Sequence, residues 1–256
     1  EKDLALFNKL ASLLLKSEIE QPTVPPIPAE KLHEILDISL EDSPASETFF
    51  EKTLEKLILN TPRTATRLFF NQLFGGRNSK ATLGDLLAVL LNNSMYTYKV
   101  AGPQVGIEKE ILHKVCNLIG YAKDSDGTFP PGGSMSNFMA MLMARDAYNT
   151  SIKKEGVTQK LSLYTSAESH YSIPKNAAFI GVGREQVRYI ETNKKGQMLP
   201  EKLEAQINED LANGFHPFFV NATAGTTVLG AFDEIPPLSI ICKKYNIWLH
   251  VDGAYC

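Results

Sequence analysis

The sequence predicts an α/β fold: a mostly parallel sheet covered by helices on both faces, preceded by a helical segment. Two observations carry this. Four short apolar runs read as buried strands, "LSLYTSA" (161–167), "QVRYIET" (186–192), "PFFVNATA" (217–224) and "IWLHVDGAY" (247–255). Helical stretches lie between them: "YSIPKNAAFIG", "LPEKLEAQINEDLANG" and "IPPLSIICKKY". Strands that alternate with helices are joined by crossovers and pair in parallel, which buries both faces of the sheet. Ligands of such sheets bind beyond the carboxyl ends of the strands, so the informative residues should sit there.

In chain order, "EKDLALFNKLASLLLKSE" comes first. Its Leu4, Phe7, Leu10, Leu14 and Leu15 recur at helical spacing and form one apolar stripe. The interleaved charges distinguish it from a signal peptide. Four prolines stiffen the connector "EQPTVPPIPAEK". A short helix is expected over "AEKLHEILDISL" and another over "ETFFEKTLEKLILN". Residues 1–65 hold too little core to fold alone and are expected to pack on the rest of the chain or on a second subunit. Residues 66–256 are expected to form the α/β domain. Within it, "GPQVGIEKEILHKVCNLIGY" and "SMSNFMAMLMARDAYNT" read as helices ahead of the first strand.

Composition narrows the functional classes. The 256 residues carry a net charge of -3, without the basic excess that nucleic-acid phosphates demand. No apolar run approaches the roughly 20 residues that span a bilayer. Cys116, Cys242 and Cys256 are odd in number and widely spaced, so neither a disulfide framework nor a zinc site is expected, and a reducing, cytoplasmic setting is the default.

Four features gather at the strand ends. In "GTFPPGGSMSNFMAML", prolines and glycines precede Ser134 at the start of a helix, whose N–H groups can seat a phosphate. In "VNATAGTTVLGAFDEI", Thr223, Thr226 and Thr227 flank Gly225. In "TSAESHYSI", His170 follows a strand and can stack on a flat ligand or carry a proton. Asp252 ends an apolar strand without a basic neighbour, and a buried carboxylate needs a cationic or hydrogen-bonding partner. His250 shares its strand face, which leaves a metal reading open but thin. Each feature alone also reads as ordinary structure: a capped helix, a Thr-rich turn, a structural histidine. Together, and in this order, they describe a flat phosphorylated cofactor with its phosphate on a helix start and its ring nitrogen on a carboxylate, the seat of pyridoxal 5'-phosphate (PLP).

With these residues in view, the chain resembles the PLP-dependent group II amino-acid decarboxylases of the glutamate and cysteine sulfinate type. The matching stretches are "FFNQLFGG", "MYTY", "DGTFPPGGSMSN", "SHYSIPKNAAFIGVG", "KGQMLPEKLE", "ATAGTTVLGAFDEI" and "CKKYNIWLHVDGAY". The resemblance implies the large domain of a fold type I PLP enzyme, with the N-terminal helical segment intertwining two subunits of a homodimer that share their active sites. It implies that Gly133 and Ser134 hold the phosphate and that His170 lies over the ring. Thr227 would contact the cofactor, Asp252 would bind the pyridine nitrogen, and Ala254 would pack beneath the ring. The catalytic residues of this chain would be His170 and Asp252, with no metal.

Asn71 and Gln72 match the segment that, in the acidic-substrate members, reaches the substrate's distal acid group from the neighbouring subunit. Phe74 is bulkier than its counterpart in the animal glutamate enzymes and would favour aspartate or cysteine sulfinate. The implied reaction is decarboxylation of an acidic amino acid to an amine and carbon dioxide. There are departures: "TRLFF" stands where the family has His-Pro-Arg, Gly253-Ala254-Tyr255 replaces Ala-Ala-Trp, and Lys99 replaces an acid. All bear on the substrate rather than the cofactor. The family's Schiff-base lysine follows the last strand and is expected beyond Cys256, since Lys175 and Lys244 read as helix-surface residues; the chain thus reads as the front part of the enzyme. An aminotransferase or carbon–sulfur lyase on the same architecture, and a non-catalytic scaffold, stand as alternatives.

Overall fold

The computed structural model describes residues 2–21, 23–24, 26–71 and 73–255, which divide into two compact units, Glu1–Ala101 and Gly102–Cys256.

The first unit is helical: α1 (Lys2–Glu20), α2 (Leu32–Ile35), α3 (Glu47–Asn60), α4 (Ser79–Leu91) and α5 (Tyr98–Ala101). Helices α1 and α3 pack together. Lys9 of α1 bridges Glu51 and Glu55 one turn apart on α3, and the buried Arg63 donates from Nε to Ser17 Oγ (3.1 Å). Ser46 starts α3 by accepting the Phe49 N–H at 3.2 Å. The helix expected over 29–40 is cut short. It consists of a 3-10 turn, Ala29–Lys31, and the single turn α2. Leu36 is already extended, and Asp37 accepts the Ser39 N–H through its side chain, a local bond that competes with helix propagation. Helix α4 is an addition to the sequence reading. Asn78 caps it by accepting from Lys80 and Ala81, and Asn92 closes it in the left-handed region.

The second unit contains α6 (Pro103–Ile119), α7 (Gly133–Tyr148), α8 (Ile152–Glu155), β1 (Leu161–Ser166), α9 (Ser172–Phe179), β2 (Val187–Ile190), α10 (Pro200–Ala212), β3 (His216–Thr223), α11 (Ile235–Tyr245) and β4 (Trp248–Asp252). The strands pair in the order β2-β1-β3-β4, all parallel. All four carboxyl ends therefore lie along one edge, where the sequence predicts the site. Strand alternation sorts the side chains. Leu161, Leu163 and Phe219 pack with Met141, Ala144, Ile173 and Ala177 of α7 and α9 on one face. Tyr164, Val220 and Ala222 pack with Leu203, Ile207, Leu238 and Ile241 of α10 and α11 on the other.

One polar network crosses the second core. The fully buried Tyr164 donates to Asp210 Oδ2 (2.7 Å), with Ser162 Oγ 3.0 Å from its hydroxyl. Arg188 of β2 donates from Nε to Asp210 Oδ1 (3.0 Å) and lies over the Phe215 ring, 4.6 Å from its centre. Burial pushes the Tyr164 phenol far above its ordinary value, so it remains a donor. The network ties β1, β2 and α10 together.

Candidate active site

Helix α7 begins where two glycines let the backbone turn. Gly132 has φ 99°, which a side chain would strain. Gly133 is required by space: a Cβ there would lie 2.9 Å from the Cβ of Ala254, just after β4. The helix start, with Gly133 and the exposed Ser134, thus abuts the turn after β4, and no side chain among the described residues caps it. Asn176 of α9 braces it by donating to the Ser134 carbonyl (3.0 Å).

Asp252 is the last residue of β4 and only 7% exposed. Its Oδ1 accepts the Ala254 N–H (3.1 Å) and its Oδ2 accepts from Asn137 Nδ2 of α7 (2.8 Å). The first bond turns the chain, which is why the strand predicted to run to Tyr255 stops at Asp252. No lysine or arginine pairs with Asp252 among the described residues.

His250 points to the same face. Its Nε2 is 2.8 Å from Asn137 Oδ1, and its ring stacks on Phe219 at 5.6 Å. Burial holds its imidazole below the ordinary histidine value, opposed by the charge of Asp252. The linkage has a definite sign. As the pH falls below about 6.5, the unfolded chain takes up a proton that folded His250 refuses, so stability is lost on the acid side. His250→Gln keeps an N–H donor for Asn137 but does not titrate. The variant should lose less melting temperature than wild type between about pH 7 and 5.5. Parallel losses would show that His250 does not govern acid sensitivity.

His170 lies between β1 and α9, half-buried, its ring 4.2 Å from that of Tyr171. Its Nδ1 faces the Ser172 hydroxyl (2.8 Å) and accepts the Ser172 N–H (3.2 Å). Ser172 Oγ in turn accepts from Asn137 Nδ2 (3.0 Å). Asp252, His250 and His170 are therefore joined through Asn137 and Ser172. A second polar row lies beside them: Asn221 donates to Thr165 (3.0 Å), which donates to Ser169 (2.7 Å).

Thr227 is half-buried in the turn after β3. That turn is pinned by Asp233, which accepts N–H bonds from Thr223 (2.7 Å) and Met198 (2.6 Å). Burial raises the Asp233 carboxyl above its ordinary value against the pull of these two donors. Thr226 Oγ1 accepts the Ala231 N–H inside the same turn (3.0 Å).

The structure thus brings Gly133, Asp252 and Ala254 together and links His170 to them. Asn71 and Phe74 belong to the first unit: Asn71 Oδ1 accepts the Leu73 N–H (2.9 Å), and Phe74 meets Phe69 edge-on at 5.4 Å. Gln72 lies outside the described residues. Lys175 is exposed, and Lys244 pairs with Glu204 at 2.7 Å. Among the described residues, no group of three His, Cys, Asp or Glu side chains could hold a metal, and no helix is long and apolar enough to cross a membrane. Asn137 and Ser172 are not among the residues singled out from the sequence. A signal for Asn137 existed: it falls on the helical stripe of Ala140, Met141 and Ala144, where an amide is out of place.

Residues 29–256 match the "Pyridoxal-dependent decarboxylase conserved domain". The chain is 40% identical over 230 residues to the acidic amino acid decarboxylase GADL1 of Bos taurus, covering 89% of this chain and 44% of that protein. It is 41% identical over 228 residues to the human cysteine sulfinic acid decarboxylase, covering 88% and 46%. The chain therefore spans about half the length of these relatives. The crystal structure of mouse CSAD in apo form superposes with a TM-score of 0.94 at 37% identity, over 99% of this chain and 55% of that one. The glutamate decarboxylase domain of a Vibrio parahaemolyticus enzyme superposes at 0.91 with 26% identity, over 100% and 58%. The family match covers most of the sequence and both units: this chain belongs to the pyridoxal-dependent decarboxylase family.

Proposed function

We propose that the whole protein is a PLP-dependent carboxy-lyase that converts an acidic amino acid (glutamate, aspartate or cysteine sulfinate) into an amine and carbon dioxide. The observation that carries this reading is Asp252, a buried carboxylate with two hydrogen-bond donors and no cation among the described residues. Removing a carboxylate from water without a counter-charge is costly, and a protonated ring nitrogen would supply one.

Other features fit the same cofactor. The Thr223 hydroxyl, register partner to Asp252 on the neighbouring strand, is buried and has no hydrogen-bond partner among the described residues. The close approach at Gly133 leaves a backbone surface where a side chain would intrude. In this reading the α7 N-terminus at Gly133 and Ser134 holds the phosphate, as helix starts hold anions. His170 covers one side of the ring, Ala254 lies beneath it, and Thr227 contacts the cofactor from the turn after β3. When bound, the protonated pyridine ring accepts the electron pair left as carbon dioxide departs. Asp252 keeps that ring charged, since an opposite charge nearby favours the protonated form.

The proposal extends to a cytoplasmic homodimer that shares its active sites, with residues 1–65 intertwined between subunits. It is supported by Leu83, Leu87, Val89, Leu90 and Leu91, all exposed on α4, and by the free thiols of Cys116 and Cys242. Asn71 and Gln72 would meet the substrate's distal acid and Phe74 would limit the pocket.

The test is product analysis with the full-length protein and PLP. Glutamate, aspartate, cysteine sulfinate and an aromatic amino acid are supplied separately. Carbon dioxide and the matching amine are expected from an acidic substrate; a keto acid in their place, or no turnover of any, overturns the proposal. With the best substrate, Asn71→Ala should raise KM roughly tenfold or more, the scale of a hydrogen bond to a charged group, without altering cofactor occupancy. An unchanged KM removes Asn71 from the substrate site.

A further inference from the structure

Three polar groups at the strand ends converge on one side chain, and His170 joins them through Ser172. Asn137 is 2% exposed, and its amide makes three bonds: Nδ2 to Asp252 Oδ2 (2.8 Å), Nδ2 to Ser172 Oγ (3.0 Å) and Oδ1 to His250 Nε2 (2.8 Å). Donor–acceptor logic sets every proton in the group. A carboxylate only accepts, so Nδ2 faces Asp252 and Oδ1 must face His250. His250 therefore carries its proton on Nε2. The second Nδ2 proton goes to Ser172 Oγ, whose own proton is then directed to His170 Nδ1. His170 Nδ1 also accepts the Ser172 N–H, which leaves Nε2 as the nitrogen that carries the proton.

We propose that Asn137 is a positioning residue: its amide aims the Asp252 carboxylate at the cofactor's ring nitrogen and, through Ser172, ties His170 to the same network. The inference rests on the reading of Asp252 as that nitrogen's counter-charge. An amide suits the task because it donates without bringing charge. A lysine or arginine would neutralise Asp252 and remove its reason to bind a cation, whereas a hydrocarbon would leave the carboxylate held only through the Ala254 N–H.

A cycle between protein and cofactor separates positioning from mere support of the fold. The affinity of the full-length apoprotein is measured for PLP and for its 1-deaza analogue, in which carbon replaces the ring nitrogen. Wild type should prefer PLP, because only PLP can engage Asp252. In Asn137→Leu the preference should shrink by roughly tenfold or more, the loss expected when a charge-assisted hydrogen bond no longer orients a carboxylate. Asn137→Ala, which removes the amide without adding bulk, keeps the test open if the leucine variant does not fold. A purely structural Asn137 would weaken both ligands equally; a preference equal to that of wild type overturns the proposal. Absence of any preference in wild type would instead defeat the reading of Asp252 on which it rests.

Discussion

Asp252→Asn is expected to leave a folded protein that binds cofactor poorly and decarboxylates roughly 10²–10⁴-fold more slowly than wild type. The substitution preserves shape and removes charge. An asparagine can accept at only one of the two places where Asp252 accepts now, the Ala254 N–H and the Asn137 Nδ2–H. The cost to folding is therefore that of about one hydrogen bond, roughly 1 kcal/mol. The cost to function is larger, because a neutral amide no longer favours a protonated ring, and removing one partner of a buried ion pair costs about 3–5 kcal/mol. Carbon dioxide release measures the second effect and the melting temperature the first. Near-normal turnover in a folded variant would remove Asp252 from the electron-withdrawing role.

The largest expected effect on stability lies on the far face of the sheet. Asp210→Ala removes the acceptor of a fully buried phenol and the counter-charge of Arg188 in one step. Breaking such a group from one side costs about 3–5 kcal/mol, and the lower end applies because Arg188 remains partly solvated (side chain 19% exposed). At about 2–4 °C per kcal/mol, the melting temperature should fall by roughly 10 °C. Asp210→Asn keeps an acceptor for Tyr164 and should lose about half as much. A melting temperature for Asp210→Ala within about 2 °C of wild type would show that the network contributes nothing net.

Much of this arrangement can be read along the chain. Strands β1, β2 and β4 lie inside their apolar runs and β3 begins one residue ahead of its own, at His216, while α10 and α11 begin at Pro200 and Ile235, where proline in the first turn pre-sets the backbone. Helix α4 carries little amphipathic signal: apart from Asp85, "LGDLLAVLL" is apolar on nearly every side, so no 3.6-residue alternation marks it. Strand order was out of reach, because β1 lies between β2 and β3 through pairings that leave no local trace. Site residues were legible where a side chain looked out of place, as with Asp252 at the end of "IWLHV". The groups that orient them were not. Asn137 and Ser172 acquire meaning only when α7, α9 and β4 meet, 115 residues separating Asn137 from Asp252.

The contact between positions 133 and 254 carries its own consequence. Because a methyl on the glycine would come within 2.9 Å of the alanine methyl, helix and turn share a single allotment of volume there. Bulk gained at one position must be surrendered at the other, so the two are coupled across the chain and open to exchange only as a pair. An attempt to reshape this corner one residue at a time would shift the start of α7 and the residues after β4 together.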